Sequence, residues 1–204
     1  MTFLKDTDKT TKEVAESLLG CLLVTEDESG RRTSGWIVET EAYLGVLDQA
    51  CHTFKGRRTP KVESMFQQAG TLYLYQMHTH KLLNVVTRNE AEPEAVLIRA
   101  VEPYEGIDLM EKRRQKTGLE ITNGPGKLTK AMGITMEADG SCVDVPPVCI
   151  DTHMRKRPSA VDLSSRIGVP GKGEWTEALL RYTVKGNPYV SRKRGKPAVT
   201  NGWV

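Results

Sequence analysis

The chain lacks the features that would force an unusual fold or compartment. No apolar run approaches the ~18 residues of a membrane span. The opening stretch MTFLKDTDKTTKEV has no apolar core of a signal-peptide kind, so a cytoplasmic protein is expected. Cys21, Cys51, Cys142 and Cys149 form no C-x-x-C pair, which argues against a zinc ribbon or a dithiol redox motif and for free, buried or half-buried thiols. There is no internal repeat and no low-complexity segment. Asn123-Gly124-Pro125-Gly126-Lys127 does not match the P-loop spacing, which weakens any nucleotide-hydrolase reading. The His78-x-His80 pair has no third or fourth ligand near it, so no metal site is expected.

What is present is an ordinary globular composition: 38% hydrophobic and 27% charged residues in 204. That length suits one domain over 1–204, large enough to fold without a disulfide or metal staple. The net charge of +3 hides an asymmetry. Residues 151–204 hold 11 Lys/Arg against 4 Asp/Glu, whereas residues 1–150 hold 18 against 22. A one-sided basic surface suggests a polyanion partner; residues 193–204 can equally be read as a solvated, partly frayed basic tail.

Thr10-Thr11-Lys12-Glu13 reads as a capping box ahead of Val14, Leu18 and Leu19 at helical spacing, with Gly20 as the stop. Cys21–Val24 and Trp36–Leu44 read as strands joined by the EDESG turn into a hairpin. Residues 48–68 read as an irregular loop. Thr71–Met77 and Leu82–Thr87 flank four polar residues and suggest a second hairpin, and Ala95–Val101 another strand. Gly106–Lys116 and Pro125–Ala131 are helix-like, the latter with Pro at its start and Gly133 beyond its end. Residues 140–165 read as Pro-containing and irregular, and Leu180–Lys185 as a late strand. Strands and helices mix without a βαβ rhythm, so the expected class is α+β with mostly antiparallel pairing.

VETEAYLG at 38–45 is the stretch richest in chemistry. Strand alternation puts Val38, Thr40, Ala42 and Leu44 on one face and Glu39, Glu41 and Tyr43 on the other. The plainest meaning is an edge strand whose carboxylates face water. A chemical meaning is also open, because residues two apart on a strand are about 6.6 Å apart, near the separation of carboxylate pairs in glycoside hydrolysis. One carboxylate alone can also activate water. Arg99, a charge inside AVLIRAV, needs a buried partner, and Glu39 or Glu41 can supply it. Tyr73, Tyr75 and Met77 share a strand face, a pattern commoner in cores than in sites. On residues alone, a carbohydrate hydrolase using Glu39 and Glu41 and a non-catalytic nucleic-acid-binding protein both remain open.

The ordered set VETEAYLG, ACH (50–52), RRTP (57–60), MF (65–66), GTLYLY (70–75), LLNVV (82–86), LIRAVEP (97–103), NGPGKL (123–128), RIGV (166–169) and GNPYVS (186–191) resembles the alkyladenine (3-methyladenine) DNA glycosylase family in its bacterial form, from about residue 10 to 194. The resemblance implies an α+β domain with a curved antiparallel sheet and a protruding hairpin that enters the minor groove of double-stranded DNA. It implies a monomer that flips a damaged purine into a pocket and replaces it with water at C1′, with no cofactor. By motif, Glu41 matches the general base, and Arg99 and the main-chain carbonyl of Ile167 help it hold the attacking water. Tyr43, His52 and Tyr75 match aromatic walls around the base. The main chain at Ala50 and His52 matches purine-edge contacts, and Asn84 the residue that disfavours the guanine amino group. Arg57, Thr59, Met65 and Lys127 match backbone or groove contacts. His78 aligns with the intercalating tyrosine of the family's mammalian members in a loop one residue shorter, so the wedge falls on His78 or Met77. No lysine matches a Schiff-base nucleophile, which implies an enzyme that leaves an abasic site and does not cut the strand. Glu39 has no role in the resemblance and is expected to be structural.

Overall fold

The computed structural model describes residues 2–192 and 195–204. Eight strands form one antiparallel, unclosed sheet: β1 (Cys21–Glu26), β2 (Arg32–Tyr43), β3 (Leu72–Met77), β4 (His80–Val86), β5 (Ala95–Glu105), β6 (Val148–Arg155), β7 (Val161–Ser164) and β8 (Arg181–Val184). The order is β3-β4-β5-β2-β1-β6, with β8 pairing both β2 and β7. The helices are α1 (Thr11–Ser17), α2 (Ile107–Arg114), α3 (Pro125–Met132) and the single turn α4 (Glu174–Glu177). This is the expected α+β class.

The capping box is present as the sequence predicts: the Thr10 side chain accepts the Glu13 N–H, and the Glu13 carboxylate accepts the Thr10 N–H at 2.7 Å. Val14, Ala15, Leu18 and Leu19 then bury against the sheet. Gly20 takes a left-handed φ of 84°, and a Cβ there would lie 1.9 Å from the Lys156 carbonyl, so only glycine fits between α1 and β1. α3 has Pro125 in its first turn and Gly133 as a left-handed cap, as expected.

β2 is a central strand rather than an edge. It pairs β5 along one side; on the other it pairs β1 through Trp36 and β8 from Glu39 to Glu41. Glu39 and Glu41 are therefore fully buried, which overturns the water-facing reading. The stretch 140–165 is not irregular, because it contains β6 and β7. Pro146, Pro147 and Pro158 sit between or before these strands, where they cost no ladder hydrogen bond. Residues 48–68 fold as short 3-10 turns, the longest being Pro60–Phe66. The β3–β4 connection is tighter than four residues, with only His78 and Thr79 between the strands.

Within the expected basic tail, Gly202 and Trp203 pack on the body of the fold, while residues 195–197 and 199–200 are exposed. Trp203 is buried, bridges Pro158, and lies between Ser159, which donates to the Gly202 carbonyl, and Val204, which donates to the Arg157 carbonyl. Lys193 and Arg194 of the expected basic run lie outside the described residues. All four cysteines are free thiols, Cys21 and Cys51 buried. Among the described residues no helix is long and apolar enough to cross a membrane.

Candidate active site

The site begins with the middle of β2. Thr40 donates its hydroxyl to the Ala15 carbonyl of α1 at 2.8 Å, so Glu39 and Glu41 on either side project to the opposite face. The register of β2 against β5 slips on both sides of Glu39, and such a bulge re-aims side chains. Arg99 of β5 enters the same face and meets both carboxylates: its Nε lies 2.9 Å from Glu39 Oε1 and its Nη1 3.3 Å from Glu41 Oε2.

The two carboxylates differ in how fully they are satisfied. Glu39 accepts from Arg99 Nε, from Arg181 Nε at 2.7 Å, and from the Ser191 N–H and hydroxyl at 2.7 and 2.8 Å. A carboxylate offers about four acceptor positions, two on each oxygen; Glu39 meets four donors, three on Oε1 and the Ser191 N–H on Oε2. Glu41 accepts from the Ile167 N–H at 2.7 Å, the Tyr43 hydroxyl at 3.0 Å and Arg99. One position remains, enough for a water. Burial pushes the Glu41 carboxyl above its ordinary range, against the opposing pull of the Arg99 charge and the Ile167 N–H. A raised carboxyl is the stronger base once ionised.

Next to this cluster lies a cavity of about 790 Å³, within the range of small-molecule sites. Tyr43, His52, Tyr75, Asn84, Arg99 and Ile167 all line it, and Glu41 sits fully buried behind Tyr43, Arg99 and Ile167. The Tyr75 and His52 rings meet edge to face, centroids 4.5 Å apart, and Tyr73 stacks on Tyr75 at 5.8 Å. The Tyr73 hydroxyl holds His52 Nδ1 at 2.7 Å. Partial burial, then the Arg57 charge, lowers the His52 pKa and favours the neutral ring. Asn84 is buried, its amide nitrogen donating to the Tyr73 carbonyl at 3.0 Å.

A second buried ion pair joins the segments that carry these walls. Asp48 and Arg166 are both fully buried. Arg166 donates to Asp48 Oδ1 at 2.9 Å and to the Ala42 carbonyl at 3.0 Å, and its guanidinium lies 4.6 Å from the Tyr43 ring centre. Asp48 also accepts the Leu44 and Ala50 N–H groups at 3.1 and 2.9 Å. The end of β2, the 48–50 turn and residues 166–167 are thus tied at one point. Because Asp48 takes the Ala50 N–H, a ligand would meet the Ala50 carbonyl and the His52 main chain.

A buried, cation-backed carboxylate beside an aromatic cavity is an arrangement chemically able to activate water next to a bound flat ring, and comparison with known proteins narrows its meaning. The sequence profile of methylpurine-DNA glycosylase matches residues 5–188. The chain belongs to the methylpurine-DNA glycosylase family. Proteins named "Putative 3-methyladenine DNA glycosylase" are similar over nearly their whole length: 54% identity in Staphylococcus saprophyticus (90% of each chain), 52% in Staphylococcus epidermidis (95% of this chain, 94% of that one) and 53% in Staphylococcus haemolyticus (90% and 91%). This glycosylase therefore carries the family's name on a site whose geometry suits it.

The expected DNA contacts of the glycosylase fall less evenly. Arg57 is exposed and Thr59 half-buried, on the turn leading into Pro60–Phe66. Met65 is only 2% exposed and lines the cavity. Lys127 is also at the cavity, but its ammonium is held by Glu120 Oε2 at 2.6 Å and Asn123 Oδ1 at 2.8 Å. At the β3–β4 turn, Met77 is half exposed and lines the cavity. His78 holds a left-handed φ of 55° at the tip. Sequence reasoning missed Asp48, Tyr73 and Arg166; RIGV marked the last of these, but its partner is 118 residues away.

Proposed function

We propose that the chain is a monofunctional glycosylase that removes alkylated or deaminated purines (3-methyladenine, 7-methylguanine, hypoxanthine and ethenoadenine) from double-stranded DNA. The observation that carries this reading is Glu41: buried, backed by Arg99, with one acceptor position left, directly behind the Tyr43, Arg99 and Ile167 wall of an aromatic cavity. The damaged nucleotide swings out of the duplex and its base enters between Tyr43, His52 and Tyr75. Unstacking costs a few kcal/mol, and stacking on aromatic side chains returns roughly 1–3 kcal/mol per base. Alkylated purines carry positive charge, leave readily and are attracted to ring faces.

As the glycosidic bond lengthens, positive charge grows on the sugar. The Glu41 carboxylate stabilises it and takes a proton from the water that attacks C1′; the Ile167 carbonyl and Arg99 position that water. A cationic methylpurine leaves as the neutral base, a neutral one such as hypoxanthine takes up a proton as its bond breaks, and the abasic strand stays intact. The Ala50 carbonyl and the His52 main chain read the purine edge, and Asn84 disfavours the guanine amino group. The β3–β4 tip fills the vacated gap. Lys/Arg of the C-terminal region, with Arg57 and Thr59, contact phosphates, so affinity falls steeply with salt.

The test is base release from a labelled duplex with one hypoxanthine, in EDTA, with and without hot alkali. Strand breaks that appear only after alkali support the reading. No release from this duplex or from methylated DNA, with duplex binding intact, overturns it in favour of a non-catalytic DNA-binding protein.

A further inference from the structure

Residues 187–191 are pinned at both ends, and the pins lead from the C-terminus to Glu41. At the first end, Asn187 is fully buried and donates its side-chain amide to Glu102 Oε2 at 2.6 Å and to the Asn201 carbonyl at 2.9 Å. The same Glu102 oxygen accepts the Trp203 indole N–H at 2.8 Å, and its other oxygen accepts Lys156 at 2.9 Å. The Lys156 ammonium lies 5.3 Å from the Trp36 ring centre and 5.3 Å from that of Trp203. A Cβ on Gly202 would come within 2.2 Å of the Lys185 carbonyl, so the C-terminal segment lies directly against the chain that enters this loop.

At the other end, Ser191 gives Glu39 two of its four hydrogen bonds, and Arg181 ties the Ser191 carbonyl at 2.9 Å. Glu39 in turn fixes the Arg99 Nε, and the other arm of that guanidinium faces Glu41. Pro188, Val190 and Ser191 meanwhile line the cavity. Trp203 lies beyond residue 188, where the match to the family profile ends.

We propose that Trp203 is a positioning residue for base excision: with Glu102 and Asn187 it latches residues 187–191, whose Ser191 end sets Glu39 and, through it, the Arg99 guanidinium against Glu41. The proposal rests on the excision reading given above. The indole N–H is a buried donor on a buried carboxylate, so its loss leaves Glu102 under-satisfied and frees Asn187 to shift. A displacement of about 1 Å at the reacting groups lowers a rate by up to roughly 100-fold. Arg57, Thr59 and the β3–β4 tip, among the duplex contacts proposed above, are not part of this chain of contacts, and Trp203→Phe leaves every Lys and Arg in place.

The test compares wild type, Trp203→Phe, Ser191→Ala and the double variant. Phe keeps a ring for Lys156 and removes the donor. The single-turnover excision rate on a hypoxanthine duplex is read beside the Kd for that duplex, with the competent fraction titrated by an abasic-analogue duplex. The latch predicts a rate loss of roughly 10- to 100-fold in Trp203→Phe at unchanged Kd, and a double variant little slower than the worse single one. Wild-type rates in Trp203→Phe, or multiplying losses, overturn it. Amide hydrogen exchange at Ser191 is measured on the same samples and does not depend on activity: faster exchange in Trp203→Phe supports the latch, and unchanged exchange overturns it. An inactive wild type with the exchange effect intact would sink the excision reading and leave the latch standing as a structural device.

Discussion

Replacing Asp48 by alanine should be strongly destabilising. The carboxylate takes the two terminal Arg166 nitrogens and the Leu44 and Ala50 N–H groups, with neither member of the ion pair exposed. Removing it strands a guanidinium in the interior, and breaking one side of a buried pair costs about 3–5 kcal/mol. The two orphaned N–H groups push the value toward the top of that range, since each unsatisfied buried donor costs about 1–3 kcal/mol less whatever relaxation recovers. For a chain of this size each kcal/mol moves Tm by about 2–4 °C, so the expected drop is about 6–20 °C. Urea unfolding followed by tryptophan fluorescence, with a thermal scan, reads both quantities. Asp48→Ala,Arg166→Met should recover part of the loss but not all of it, because the N–H groups stay unpaired. A single variant within about 1 kcal/mol of wild type would refute the argument, since that is the range of an exposed ion pair.

Three further outcomes follow from the same geometry. Excision should fall as pH drops through the raised Glu41 pKa, with the half-maximal point above the ordinary glutamate value of 4.5; Arg99 and Tyr43 are bonded to it, and Glu39 shares the Arg99 guanidinium. Arg99→Met removes the cation that holds this value down and should move the acid limb to higher pH; an unmoved limb contradicts the assignment. At the hairpin, Met77→Ala and His78→Ala should separate the wedge, because the residue that fills the gap lowers nucleotide flipping when truncated, read by 2-aminopurine fluorescence beside the lesion, and the other leaves it unchanged. Asn84→Ser should raise release of guanine relative to hypoxanthine, and an unaltered ratio would remove Asn84 from discrimination.

Much of the framework was legible in the sequence because its signals are local. The Thr10–Glu13 capping box, the Pro125 start and Gly133 end of α3, and both hairpins depend on residues a few positions apart. What was not legible depends on distant partners. Alternation in VETEAY placed Glu39, Glu41 and Tyr43 together but could not tell an edge strand from a central one, since that is decided by β5, β8 and β1. Pro146, Pro147 and Pro158 made β6 and β7 look irregular although they only punctuate them. The basic C-terminus looked like a tail because nothing nearby in sequence announces that Trp203 finds Glu102. Arg99 was expected to need a carboxylate; it has two, and Glu39 meets four donors where Glu41 meets three.

The central claim is that Glu41 activates the attacking water. Glu41→Gln keeps the shape and the hydrogen-bonding acceptor and removes the base, so it should bind a hypoxanthine duplex as tightly as wild type while base release, measured under single-turnover conditions, falls to background. Release at near wild-type rate from Glu41→Gln would place the base elsewhere and contradict the account.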